Sequence, residues 1–414
     1  MNLKKIVLAV GMFGFISCFT ACNDDSENFD DNKFSPIELN QQSRAALENL
    51  NQFNYNYLKA AIECSDNMQD NDNKNVIVSP ISASILLSMI ANATDESVSK
   101  EIIQRMGVSD LNSLNTLSNT LLKKLPTADK KSTCRFSNAL WYDNALTISQ
   151  DFNSVLTDDF MANISKADFS NQNKTLNDIN SWAAKASGGV IDKFIENLNP
   201  NTFALIANST YFNGTWAESL FDKNKTKEDI FHGLSHESTV AMMNGSMLVG
   251  SYASSDECQY VSLPFGNMAF QLEIILPHDN KNLSDIQAGD NNPFEELSKI
   301  AQSIQVNITM PKFKIEGNLS MDDILRQYGF SSLLREITLK GFTSNPEGII
   351  DFRQKTSLSI DEKGAEVAVV SSGEFVNSFS PVKKVEINLN KPFYFSLIER
   401  STGACILAGR IADL

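Results

Sequence analysis

Apolar positions along the chain fall into runs of different period. Residues 6–19 form an uncharged apolar stretch headed by Lys4 and Lys5, too short for a transmembrane helix, which needs about 20 residues. Over 45–63, Leu47, Leu50, Tyr57, Leu58 and Ile62 recur near helical spacing and predict a helix. A polar turn at 71–75 leads into Val76-Ile77-Val78, a short buried strand. Ser79-Pro80 ends it, because proline lacks an amide donor and restricts its predecessor. Ser82 then opens a second apolar helix to about Ala93. Runs at 204–211, 260–263, 269–276, 304–310 and 355–360 are apolar or alternating, mostly bounded by turn residues, and predict strands. Helices thus gather in the first half and long, antiparallel-looking strands in the second, which favours α+β over a βαβ repeat. No repeat, internal linker or low-complexity insert follows residue 40.

Composition narrows the function classes. The 414 residues are 42% hydrophobic, ample for one large core or two modest ones. The net charge of −15, with no basic stripe to neutralise phosphates, excludes a nucleic-acid partner. Beyond Cys18 and Cys22, the cysteines Cys64, Cys134, Cys258 and Cys405 are far apart and form no Cys-x-x-Cys pair, so they read as buried free thiols rather than disulfides or zinc ligands. G-x-S-x-G, H-E-x-x-H, G-x-G-x-x-G and G-x-x-x-x-G-K are all missing. His232 and His236 have metal-ligand spacing for a helix, but Gly233 between them makes the segment a hairpin; His278, after Leu276-Pro277, reads as a solvated turn. Glu295-Glu296 and Asp322-Asp323 read as helix-start or surface charges. No acid–base pair assembles, so neither an enzyme, a metal nor a cofactor is expected.

Small residues before a cysteine, Phe19-Thr20-Ala21-Cys22, mark a processing site. The run resembles a bacterial lipobox, with Phe19 in place of the usual leucine; ordinary cleavage with Cys22 incidental is the alternative. The resemblance implies a leader over 1–21 and lipidation of Cys22. Asp24, Asp25, Glu27, Asp30 and Asp31 follow without a base, so 22–44 reads as the lipidated cysteine and a disordered acidic tether. In some Gram-negative lineages such a run resembles a surface-display signal. The expected place is outside the cytoplasm, lipid-anchored to the outer membrane on its periplasmic or cell-surface face.

The most informative window begins as a strand, Leu358-Ser359-Ile360, and continues Asp361-Glu362-Lys363-Gly364. A glycine between two strand-like segments suggests a hinge. Beyond it Ala365, Val367, Val369 and Ser371 share one parity, hence one face of a strand, and none is large or charged. Such a segment suits an exposed loop and an inserted strand alike; taken alone, the window fits a plain edge strand equally well.

From about residue 45 to 414 the chain resembles the serpin family at six blocks in order: Asn75-Val76-Ile77-Val78-Ser79-Pro80-Ile81-Ser82; Asn138-Ala139-Leu140-Trp141; Ile179-Asn180-Ser181-Trp182; the stretch from Asn208 through Tyr211, Phe212 and Gly214 to Trp216; Met310-Pro311-Lys312-Phe313-Lys314-Ile315; and Lys391-Pro392-Phe393-Tyr394-Phe395 with Thr402-Gly403. The resemblance implies a single domain over 45–414 with three β-sheets, eight or nine helices and an exposed reactive-centre loop. It implies a monomeric suicide-substrate inhibitor, whose cut loop inserts into the large sheet and carries the acyl-enzyme with it.

Carried over by position, the hinge is Glu362, Lys363, Gly364, Ala365, Glu366, Val367 and Ala368. Ser79, Pro80, Ser82 and Asn208 match the family's shutter, where the sheet opens, and Trp216 its breach, where insertion begins. Gln354 replaces a shutter histidine, which removes pH-dependent gating there. The reactive bond falls between Ser378 and Phe379, within a window of Phe375, Val376, Asn377 and Ser380. That window suits elastase-, chymotrypsin- or subtilisin-like serine proteases, or papain-like cysteine proteases. Val367, Val369 and Val370 replace the family's alanines, and their bulk leaves a non-inhibitory surface binding protein as the alternative.

Overall fold

The computed structural model describes residues 32–68, 74–189, 191, 193–198, 202–217, 220–287, 291–317, 319–364 and 383–414. Helix α1 (Gln41–Asn67) starts where the Asn40 side chain accepts from Ser43 N, and its apolar face buries Leu47, Leu50, Phe53, Tyr57 and Leu58. Strand β1 (Val76–Val78) is buried throughout. Helix α2 (Pro80–Ala91) opens two residues before the expected Ser82, because Ser79 caps it and proline fits the first helical position, where an amide donor has no partner. There follow α3 (Glu96–Arg105), α4 (Leu111–Lys124), β2 (Ser132–Asp143), α5 (Gln150–Asp158), β3 (Asn163–Ala167), α6 (Gln172–Ala186) and β4 (Thr202–Gly214).

Strands dominate the remainder: β5 (Lys227–His232), β6 (Glu237–Ser254), β7 (Cys258–Phe265), β8 (Phe270–Pro277), β9 (Gln302–Pro311), β10 (Phe313–Glu316), β11 (Ile337–Thr338), β12 (Glu347–Ile360), β13 (Lys384–Asn388), β14 (Phe393–Glu399) and β15 (Cys405–Ile411). Three short helices interrupt them: α7 (Leu283–Gln287), α8 (Pro293–Ile300) and α9 (Met321–Tyr328). The α+β class holds, with nine α-helices among the described residues.

One sheet has the order β10-β12-β4-β2-β3, with β11 on β12. The other runs β1-β15-β14-β8-β7-β6-β9-β13, with β5 on β6. It divides within β6, whose register with β9 shifts between Met247 and Gly250. Before the shift β6 pairs with β5 and β9; from Ser251 it also pairs with β7, so two sheets share one strand.

Two expectations change. The second-half strands are not uniformly antiparallel, since β12 runs parallel to β4 and β13 parallel to β9. Residues 32–44, expected as part of a disordered tether, are held against the domain: Ile37 is 7% exposed, its amide donates to Ser401 Oγ at 2.8 Å, and Arg400 lies 5.3 Å from the Phe34 ring centre. The described part of that segment carries Phe34, Ile37 and Leu39, enough apolar surface to hold it down.

Candidate functional site

Strands β4 and β12 form a parallel seam, paired from Thr202 opposite Ile349 to Tyr211 opposite Ser357. The pairing stops there. Leu358, Ser359 and Ile360 continue on β10 alone, and Phe212, Asn213 and Gly214 on β2 alone. The seam is therefore closed along most of its length and unpaired across its top.

The chain leaves β12 directly above this opening. Asp361 and Gly364 close a tight turn, with Gly364 at φ +84°, and a Cβ there would fall 2.5 Å from both Gly214 O and Trp216 N. Only glycine fits. Trp216 binds the turn twice, its indole N–H to Asp361 O at 3.0 Å and its amide to Lys363 O at 3.3 Å. The indole stacks on Phe265 with ring centres 4.3 Å apart. Glu362 is buried: one carboxylate oxygen accepts from Thr226 Oγ1 at 2.6 Å and the other lies 2.7 Å from Lys312 Nζ. Burial pushes its carboxyl up, but the bonds from Lys312 and Thr226 outweigh it and hold the group below the usual glutamate range.

Beneath the seam, buried polar groups link α2 and its cap to four strands, β15, β4, β2 and β12. Ser79 Oγ donates to Ile406 O at 2.7 Å and lies 2.8 Å from Ser82 Oγ. Ser82 Oγ meets Thr210 Oγ1, which donates to Asn208 Oδ1 at 2.8 Å. Asn208 donates to Asn138 Oδ1 at 2.7 Å, and Asn138 to Phe160 O at 2.7 Å. From β12, the Gln354 amide accepts from Ser79 N at 3.1 Å and donates to Ser79 O at 2.9 Å. The chain of hydrogen bonds crosses from β12 through α2 to β4 and β2. Pro80, at the first position of α2, is buried beside it.

The structure thus brings Ser79, Pro80, Ser82, Asn208 and Gln354 to one place, and Trp216, Glu362, Lys363 and Gly364 to another. Ala365, Glu366, Val367, Ala368, the window 375–380 and Cys22 lie outside the described residues. Sequence reasoning missed Thr210, Asn138, Thr226 and the partnership of Lys312 with Glu362; Thr210, Asn138 and Lys312 lay inside the family-like blocks, whereas Thr226 lay in none of them.

The remaining candidates separate. His232 ends β5 and His236 lies in the hairpin before β6; His232 Nδ1 lies 2.8 Å from Glu237, and His236 Nδ1 3.9 Å from Asp413. Glu295 and Glu296 do occupy the first turn of α8. Asp322 is not a surface charge, because the first turn of α9 faces β12 and buries one of its carboxylate oxygens. All four cysteines in the described residues are free; Cys134, Cys258 and Cys405 are buried, and Cys64 is half-buried.

Comparison with known proteins gives a consistent result. The family profile described as Serpin (serine protease inhibitor) matches residues 48–414. A serine protease inhibitor of Cyanea capillata is 28% identical over 358 residues, covering 82% of this chain and 92% of that protein. The thermophilic serpin tengpin in its native state superposes with a TM-score of 0.74 at 25% identity, covering 93% of this chain and 98% of that one. Arabidopsis AtSerpin1, in its native stressed conformation, gives 0.77 at 24% identity, covering 91% and 99%.

Proposed function

The chain belongs to the serpin family, and from that premise we propose that it is an irreversible suicide-substrate inhibitor of serine or cysteine endopeptidases, exported and lipid-anchored through Cys22. The observation that carries this reading is the seam. Because β4 and β12 run parallel, a segment that turns back at Gly364 and enters between them is antiparallel to both. One parallel ladder is then exchanged for two antiparallel ones, which pair slightly more strongly per residue. About 15 inserted residues at ~3.3 Å each carry an attached protease on the order of 50 Å. Ser378 and Phe379 remain the bond of choice, which points to elastase-, chymotrypsin- or subtilisin-like targets and to papain-like ones.

The test is a short incubation with elastase, chymotrypsin, subtilisin and papain. The expected product is a complex that survives boiling in detergent, with mass spectrometry placing the cut within 375–380. Cleavage without any such complex from all four overturns the inhibitory reading.

A second reading, a non-inhibitory binding protein, is favoured by one cavity. It measures about 260 Å³ and is lined by Asn54, Tyr55, Glu273, Phe294, Ser396 and Cys405, among others. Asn54 Oδ1 is buried there without a partner. Burial pushes the Glu273 carboxyl up to about 7, although Tyr260 donates to it at 2.6 Å. A small amphipathic ligand that raised the melting temperature of a chain forming no covalent complex would establish this reading; no shift across a set of aryl amines and aryl acids would remove it.

A further inference from the structure

Away from these sites, buried polar atoms without partners gather where α1 and α9 back the lower part of β12. Tyr57 Oη from α1, Asp322 Oδ1 from α9 and Asp351 Oδ1 from β12 are all buried without a hydrogen bond. Tyr57 is wholly buried and Asp351 5% exposed. One guanidinium answers two carboxylates. Arg353 Nη2 donates to Asp351 Oδ2 at 2.8 Å, and its Nε, also 2.8 Å from Asp351 Oδ1, is not aligned for a second bond.

Asp322 itself accepts the backbone amide of Phe352 on β12. The charged or titratable groups around it are Asp351 and Arg353 from β12, Asp323 from its own helix, and Tyr57 and Cys64 from α1, where Cys64 Sγ donates to Asp323 O at 3.4 Å. Glu63 of α1, bonded to Gln327 of α9 at 2.7 Å, completes the rim. Burial first, then the charge of Asp351, pushes the Asp322 carboxyl up to about 6, against the pull of Arg353 and the Phe352 amide. Asp351 is also raised by its burial, which Arg353 offsets in part.

We infer that Asp322 and Asp351 form a proton-operated brace between α9 and the lower part of β12. With both ionised, two negative charges share one guanidinium in a poorly solvated place, and the brace is slack. A proton on Asp322 removes one charge and supplies a donor where Asp351 Oδ1 and Tyr57 Oη lack partners. The folded-state value of Asp322 lies above the unfolded 3.8, so this contribution is complete below about pH 4 and is lost as pH rises through about 6. Since β12 is the outer strand of the seam with β4, acidification should hold that strand more firmly. The brace does not depend on the inhibitory reading.

Urea unfolding of the full chain and its Asp322→Asn variant between pH 4.5 and 7.5 tests it, together with hydrogen exchange of the 349–353 amides corrected for intrinsic rate. At pH 7.5 the variant's unfolding constant should be roughly ten- to a hundred-fold below wild type, the gap closing to a few-fold by pH 4.5. The wild-type amides should exchange more slowly at pH 5 than at pH 7.5, and the variant's should not change. A gap that stays constant, or widens toward acid, overturns the brace. If Asp322→Asn does not fold, Asp351→Asn decides: removal of the neighbouring charge should move the wild-type transition to lower pH, and an unmoved transition overturns it.

Discussion

Gln354 meets Ser79 with both ends of its amide, accepting from the backbone N–H and donating to the carbonyl. Its replacement by leucine strands the Ser79 N–H beside a buried network, while the carbonyl keeps its bond from Ala83 N at 3.0 Å, and should lower stability by about 1–3 kcal/mol, read as a lower urea midpoint. Gln354→His should introduce a pH dependence near the histidine pKa of about 6.5 that the amide cannot supply. Glu362 has the opposite titration sign to Asp322. Its folded value is depressed below the ordinary 4.5, so its contribution is present above about pH 4.5 and fades as pH falls through the folded value. Glu362→Gln should therefore destabilise the chain near neutrality and cost progressively less toward pH 3, a trend that paired urea titrations would show. Gly364 was legible from the sequence because a lone glycine between strand-like segments has few other uses. Asp322 was not, since adjacent carboxylates at a helix start read alike whether the first turn faces water or a strand far away in sequence.

At the scale of elements, the chemistry of β12 explains what was missed. The strand was expected over 355–360, yet it begins at Glu347, because Asp351, Arg353 and Gln354 break its apolar run. Those three find partners in one another and in α2, contacts that periodicity along a single segment does not contain. The same limit applies to parallel pairing: apolar alternation marks a strand but not the direction of its neighbour. The hinge offers the sharpest element-level prediction. In a strand, Ala365, Val367, Val369 and Ser371 share one face, so Ala365→Arg would place a charge on the face that insertion buries. That variant should be cleaved as a substrate without trapping protease; stoichiometric trapping would disprove the insertion assignment.

For the whole molecule, six short sequence blocks in order implied a fold with eight or nine helices, and nine α-helices lie among the described residues; the parallel seam between β4 and β12 was not legible there, because it joins strands far apart in the chain. If the loop inserts into the seam as proposed, the intact chain is kinetically held, so cleavage within 375–380 should raise the melting temperature, which calorimetry before and after proteolysis would show. The leading segment places a constraint of its own. Asn32 donates to Asp129 at 2.7 Å and accepts from Lys130 N at 2.7 Å. Gly266 lies hard against Asp129 and donates to Thr215 O at 2.6 Å, and the Thr215 backbone touches Gly364. Asn32, the first described residue, thus sits at the pole that carries Gly364. If Cys22 anchors the chain as proposed, the ten residues 22–31 can span at most ~35 Å between the anchor and that pole. On that proposal an approaching protease would have to fit within the span, and an insertion of some 50 Å would carry it beyond the tether's reach.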